Sequence, residues 1–293
     1  MTRELAISRR KVLAAVDLGG QSLAVLHEAK QRAEQSGGTW AVCHVLPEEV
    51  ASAAPETERA SRDAVQRLIE SASLDSSPRL FFEQGSAAAS IVRAAQTWGA
   101  DLIVTASHSR SALERALLGS VSASVVRYAH CAVLVVRPPP VPARCVLAAT
   151  DLSAPSLPAI QVAADEATRL GLPLTVVYAI DASWVAFNAY TSGLLAAAGP
   201  SAPVIPEGPV REAARKSLAS MLDPLGVSAT PVVLDGPPRD AIVDWARSEQ
   251  AALVVIGTHG RTGLSRVLLG SVAESVVARA ACSVEVVRRQ EGA

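Results

Sequence analysis

The chain contains a long internal repeat. ALLGSVSASVVRY at 116–128 returns as VLLGSVAESVVAR at 267–279, a shift of 270 − 119 = 151 residues. The same shift lays His108 on His259, Arg110 on Arg261, Cys131 on Cys282 and Gly85 on Gly236. Nearer the start, VLAAVDL at 12–18 matches VLAATDL at 146–152, where the shift is 151 − 17 = 134. The second copy therefore holds 151 − 134 = 17 additional residues between Asp151 and Gly236. A period of this size is that of a domain, not of a solenoid repeat. Between the copies lies RPPPVPAR at 137–144, whose prolines favour an extended spacer. The expected organisation is two similar domains, 1–138 and 143–293.

Within each copy, short aliphatic runs alternate with stretches of helical periodicity. VLAAV, WAVCHVL, RLFFE at 79–83, LIVTA and AVLVVR read as strands, and 22–36, 59–71, 87–98 and 120–129 as helices. The second copy repeats this order from VLAAT at 146–150 to SVEVVR at 283–288. Strands that are apolar on both faces and alternate with amphipathic helices imply a parallel sheet covered on both sides. The expected fold class is α/β, with two tandem doubly wound domains of five parallel strands each. Such sheets bind ligands beyond the carboxyl ends of their strands, where the strand order reverses. Asp151 ends the first strand of the second copy and Gly257 the fourth, so the two are expected to share one crevice.

Charge names no polyanionic partner: 27 basic and 28 acidic residues nearly cancel, and no Lys/Arg run has the density of a nucleic-acid or membrane-surface patch. Residues 1–11 are mixed polar and charged, with neither the apolar core of a signal peptide nor a membrane span, so a cytoplasmic protein is expected. Cys43, Cys131, Cys145 and Cys282 are scattered without C-x-x-C pairs or His at metal spacing. They read as buried, inert thiols.

The stretch GTHGRTGLSRVLLGS at 257–271 is rich in glycine but is neither G-x-x-x-x-G-K-[ST] nor G-x-G-x-x-G. Its pattern is Gly257-x2-Gly260-x9-Gly270-Ser271. Glycines let backbone amides approach an anion, and Gly270-Ser271 opens a helix whose N-terminus offers unpaired donors. Ser271-x-x-Glu274 also fits a capping box, which would satisfy the serine hydroxyl internally instead.

By this motif, the Asp after the first strand and the V-V-R ends of the fifth strands, the sequence resembles the universal stress protein family along both copies. The resemblance implies binding of ATP, with magnesium held through the phosphates. It assigns Gly260, Gly270, Ser271 and Val272 to phosphates and ribose, Asp151 to the ribose and adenine edge, and a backbone group at Ala179 to the adenine. Gly257 belongs to the same motif. Arg261 is either a forked phosphate partner or a solvated surface arginine.

Copy one keeps Asp17, Gly119 and Ser120 at the matching positions and has Val45 where the second copy has Ala179, but it has Ala106 for Gly257 and Ser109 for Gly260. A weaker nucleotide site is expected there. His108 and His259 have no partner nucleophile at a recognisable spacing, and no G-x-S-x-G, H-R-D or paired-carboxylate motif is present. A stress-response regulator is thus expected rather than an enzyme; the alternatives are a nucleotide-independent scaffold and a slow ATP hydrolase. The extra segment 181–208 carries WVAFNAY and is either a lid over the crevice or a packing patch. The resemblance further implies pairing through the fifth strands, here 133–137 with 284–288, and a homodimer of whole chains is expected on general grounds.

Overall fold

Alternation of every second side chain between opposite faces lets a strand such as VLAAV bury residues on two sides at once. The computed structural model describes residues 11–48, 55–72, 77–107, 118–138, 142–181, 207–258 and 269–288. In the first unit β1 (Lys11–Val16), α1 (Ser22–Gln35), β2 (Thr39–Leu46), α2 (Pro55–Ser71), β3 (Arg79–Gln84), α3 (Ala87–Trp98), β4 (Leu102–Ala106), α4 (Ser120–Tyr128) and β5 (Ala132–Val136) follow one another. The second unit has β6 (Cys145–Ala149), α5 (Leu157–Leu170), β7 (Leu174–Ile180), α6 (Glu207–Leu222), β8 (Ala229–Asp235), α7 (Pro238–Ser248), β9 (Ala251–Gly257), α8 (Ser271–Arg279) and β10 (Ser283–Val287). Helix α2 begins at Pro55, earlier than its apolar periodicity suggests, because Pro suits a first helical turn and Glu56 and Glu58 favour that end.

Each unit orders its strands 3-2-1-4-5, all parallel, so the order reverses between β1 and β4 and between β6 and β9. The expectation of five parallel strands per unit holds, and the two sets are further fused into one ten-stranded sheet. The seam is antiparallel: Val284 lies opposite Val135, Glu285 opposite Leu134 and Val286 opposite Val133. Joining the last strands removes two exposed edges at once. β3 and β8 form the outer edges.

The core has two layers, one on each face of the sheet, and both layers run through the two units. Leu13, Ile103, Val133, Leu147, Val254 and Val284 point to the face covered by α3, α4, α7 and α8. Val12, Leu102, Leu134, Val146 and Leu253 point to the face covered by α1, α2, α5 and α6. Aromatic rings contribute little to either layer, as the aliphatic composition foretells.

Candidate functional site

Two equivalent clefts open at the carboxyl ends of the strands, one per unit, each at the reversal of strand order. The larger, about 210 Å³, is lined by Thr150, Asp151, Tyr178, Ala179, Gly257, Thr258 and the start of α8, among others. The second, about 140 Å³, is lined by Asp17, Val45, Ala106, Gly119 and Ser120 with their neighbours.

The backbone turns sharply after each first strand. Leu18 and Leu152 take left-handed φ values of 63° and 65°, an uncommon state for a residue with a branched side chain. The turn brings the next amides back to the preceding carboxylate. Asp151 Oδ1 accepts from the Ser153 amide at 3.1 Å and its hydroxyl at 2.5 Å. Asp17 Oδ1 accepts from the Gly19 amide at 2.8 Å and the Ser22 hydroxyl at 3.1 Å. Thr150 Oγ1 contacts Ser156 Oγ at 2.6 Å and accepts from the Leu152 amide at 3.0 Å, which fixes the turn from below. Both carboxylates are therefore held at the mouth of their clefts.

The opposite wall is a helix start. Gly270 donates its amide to Thr258 O at 2.8 Å, and Thr258 donates to Val287 O at 3.2 Å, tying the entry of α8 to the ends of β9 and β10. The first intrahelical bond runs from Glu274 N to Gly270 O at 2.9 Å. The amides of Ser271, Val272 and Ala273 precede it and have no acceptor within the helix. All three residues line the cleft. The capping box is not formed: Gly270 is the N-cap, extended at φ −63° and ψ 144°, and no side chain caps the helix. Ser271 stands one position too late, and Glu274 pairs instead with Arg127 of the first unit. The first unit repeats the arrangement, with Gly119 N to Ser107 O at 2.8 Å and Ala123 N to Gly119 O at 3.0 Å.

Gly270 is favoured by space, since its φ is ordinary. A Cβ there would lie 3.0 Å from the Thr258 carbonyl oxygen. Of the residues the sequence singles out, Asp151, Ala179, Gly257, Gly270, Ser271 and Val272 meet in the larger cleft, and Asp17, Val45, Gly119 and Ser120 in the smaller. Gly260, Arg261, His108, His259 and Ser109, and the segment 182–206, lie outside the described residues. Among the described residues Asp151 is the charged group in the larger cleft, and no cluster of three or more His, Cys, Asp or Glu is arranged to hold a metal.

Several lining residues escape a reading of the motif. Thr150, Tyr178 and Thr258 are strand-end neighbours of predicted residues, and the repeat shifts would have located them. Pro238 and Ile242 come from α7, where an apolar position reads simply as core. The four cysteines are buried. Burial pushes the thiols of Cys43, Cys131 and Cys282 up to about 12 and that of Cys145 to about 11, which removes the thiolate needed for chemistry.

This is a tandem α/β protein with a ligand-type crevice at each switch point. The universal stress protein family model matches residues 8–137 and 143–288, and the chain belongs to that family. A relative, the universal stress protein Rv2005c of Mycobacterium tuberculosis, is 37% identical over 203 residues. That match spans 65% of this chain and 62% of the relative, less than two thirds of its length. Among solved structures, a functionally unknown protein from Pseudomonas aeruginosa PAO1 superposes with a TM-score of 0.67 at 23% identity, covering 96% of this chain and 93% of that one. A universal stress protein from Archaeoglobus fulgidus gives 0.65 at 19% identity, over 98% and 99%. Among the described residues no helix is long and apolar enough to cross a membrane.

Proposed function

We propose that this universal stress protein binds an adenine nucleotide, ATP, in the cleft of its second unit and acts as a nucleotide-responsive regulator rather than a catalyst. One observation carries the reading: a fixed carboxylate, an apolar wall and a run of helix-start amides without an acceptor in their own helix converge on the same 210 Å³ cleft. Asp151 would accept from the ribose hydroxyls, the region of Ala179, Tyr178 and Ile242 would flank the base, and the amides at Ser271 and Val272 would meet the phosphates. A helix N-terminus suits anions because its donors and its dipole both point outward. Gly260 and Arg261 complete the phosphate side in this reading. Magnesium would ride on the phosphates, since it keeps most of its waters and needs few protein ligands. Among the described lining residues Asp151 is the one carboxylate, and its Oδ1 is taken up by the Ser153 amide and hydroxyl, which favours binding over turnover.

The smaller cleft of the first unit, with Ala106 and Ser109 in place of glycines, supports a weaker site there. Any pairing of whole chains has to use a face other than the β5 and β10 edges, which are already joined. Calorimetry with Mg·ATP on the full chain tests the proposal. One site per chain is expected, weakened roughly 10- to 100-fold by Asp151→Ala, the loss of a charged hydrogen bond. Asp17→Ala should leave that site unchanged. Absence of heat from the wild type, or sensitivity to Asp17→Ala alone, would refute it.

A further inference from the structure

The seam between the units has a two-fold relation. Glu285 and Leu134 are equivalents under the 151-residue shift, and they lie directly opposite each other in the β5–β10 register. Part of the seam obeys this symmetry. Arg137 reaches across to Val277 O at 2.6 Å, and its equivalent Arg288 reaches back to Val126 O at 2.7 Å and Arg127 O at 2.8 Å. Each arginine thus caps the last helix of the other unit, where cations are favoured. These contacts, which explain the V-V-R strand ends, would serve equally well between two copies of either unit.

The ion pairs break the symmetry. Arg32 Nη1 bonds Glu166 Oε1 at 2.6 Å and Glu285 Oε2 at 3.0 Å, with side-chain exposures of 3%, 6% and 0%. Arg169 crosses back to Glu28 at 3.0 Å, and Arg127 pairs with Glu274. Under the 134-residue shift Arg32 is equivalent to Glu166, and under the 151-residue shift Leu134 to Glu285, Arg127 to Ala278 and Ala123 to Glu274. Two first units placed across this seam would bring Arg32 towards Arg32, each keeping Glu28 of its own helix at 2.7 Å but with neither Glu166 nor Glu285 to receive it. Two second units would set Glu285 directly opposite Glu285 at an unexposed position. Directly opposed residues in an antiparallel pair have Cβ atoms about 5 Å apart. Buried like charges at that range are strongly unfavourable.

We propose that the two units are charge-coded for each other: the β5–α1–α4 face of the first unit is a docking surface that accepts the second unit and rejects another first unit. The symmetric backbone and arginine caps provide adhesion, while the asymmetric charges provide selection, a division seen wherever specificity needs a repulsive element. The consequence is that every such seam sets a unit with the intact glycine motif beside one with the altered motif, and like units do not pair through their last strands.

A protease site placed at 139–141 allows the full chain to be cut after folding, unfolded in urea, refolded as a mixture and weighed by native mass spectrometry. Light and ¹⁵N-labelled preparations, mixed, report when exchange has reached equilibrium. Mixed pairs are expected to exceed like pairs by on the order of 100-fold or more, since like-charge juxtaposition costs several kcal/mol. A statistical mixture of pairs, or unpaired halves alone, would overturn the proposal. In the neutral variant Arg32→Leu/Glu166→Leu/Glu285→Leu, like pairs should appear; continued exclusive mixed pairing would also overturn it. Should that variant fail to refold, Glu285→Leu alone must lower the preference about tenfold or more, and an unchanged ratio would sink the charge code.

Discussion

Gly270→Ala puts the steric basis of the cleft to a direct test. The added Cβ would sit 3.0 Å from Thr258 O, tighter than ordinary carbon–oxygen contact by a few tenths of an ångström. Both partners are backbone, so no flexible side chain can turn aside. The Gly270 N to Thr258 O bond at 2.8 Å pulls the same two segments together, so relief must come from shifting α8 away from the end of β9. That shift moves the amides of Ser271 and Val272 relative to Asp151. Overpacking of this kind costs about 1–3 kcal/mol. In a chain of this size each kcal/mol lowers the melting temperature by about 2–4 °C. Thermal unfolding and Mg·ATP calorimetry on the same preparation separate the two effects: stability should fall by that amount and ATP affinity by tenfold or more. An alanine variant that melts and binds like the wild type would refute the close-approach reasoning.

Arg32→Leu strips the cation from Glu166, Glu285 and Glu28 and should cost about 3–5 kcal/mol in urea unfolding, the penalty for a buried pair broken on one side; a loss below about 1 kcal/mol would contradict the buried cluster. Burial alone would raise the Glu28 carboxyl, but Arg32 and Arg169 outweigh it and hold the group below its ordinary value. Its contribution is therefore complete above the unfolded carboxylate pKa and disappears as pH falls through the lower folded value. Unfolding titrations of the wild type should lose stability in that acid window, with a shallower loss in Glu28→Gln. The four cysteines should resist a thiol reagent in the native protein at pH 8 and react fully after unfolding; rapid native labelling would contradict their burial and raised pKa values.

Much of this molecule is legible in the order of its residues. The two shifts, 151 and 134, expose the duplication, and strand and helix periodicity identify the elements because a parallel sheet buries both faces of its strands. The position of Asp151 and Gly257 at neighbouring strand ends also follows, once the topology is granted. The capping box at Ser271 shows the limit. Its spacing is right, yet the N-cap lies one residue earlier, at Gly270, whose amide is held by Thr258 O, a contact made in space and invisible to local pattern.

The charges at the seam show the same limit more fully. Arg32, Glu166 and Glu285 are far apart in the chain, and on their own helices and strand each reads as an ordinary solvated residue. Only the antiparallel joining of β5 to β10 brings both carboxylates within 3.0 Å of a single guanidinium. Periodicity encodes which face of an element turns inward, and the sequence by itself determines that. Which polar groups then meet across two folded units depends on register and docking, and only the tertiary structure decides it.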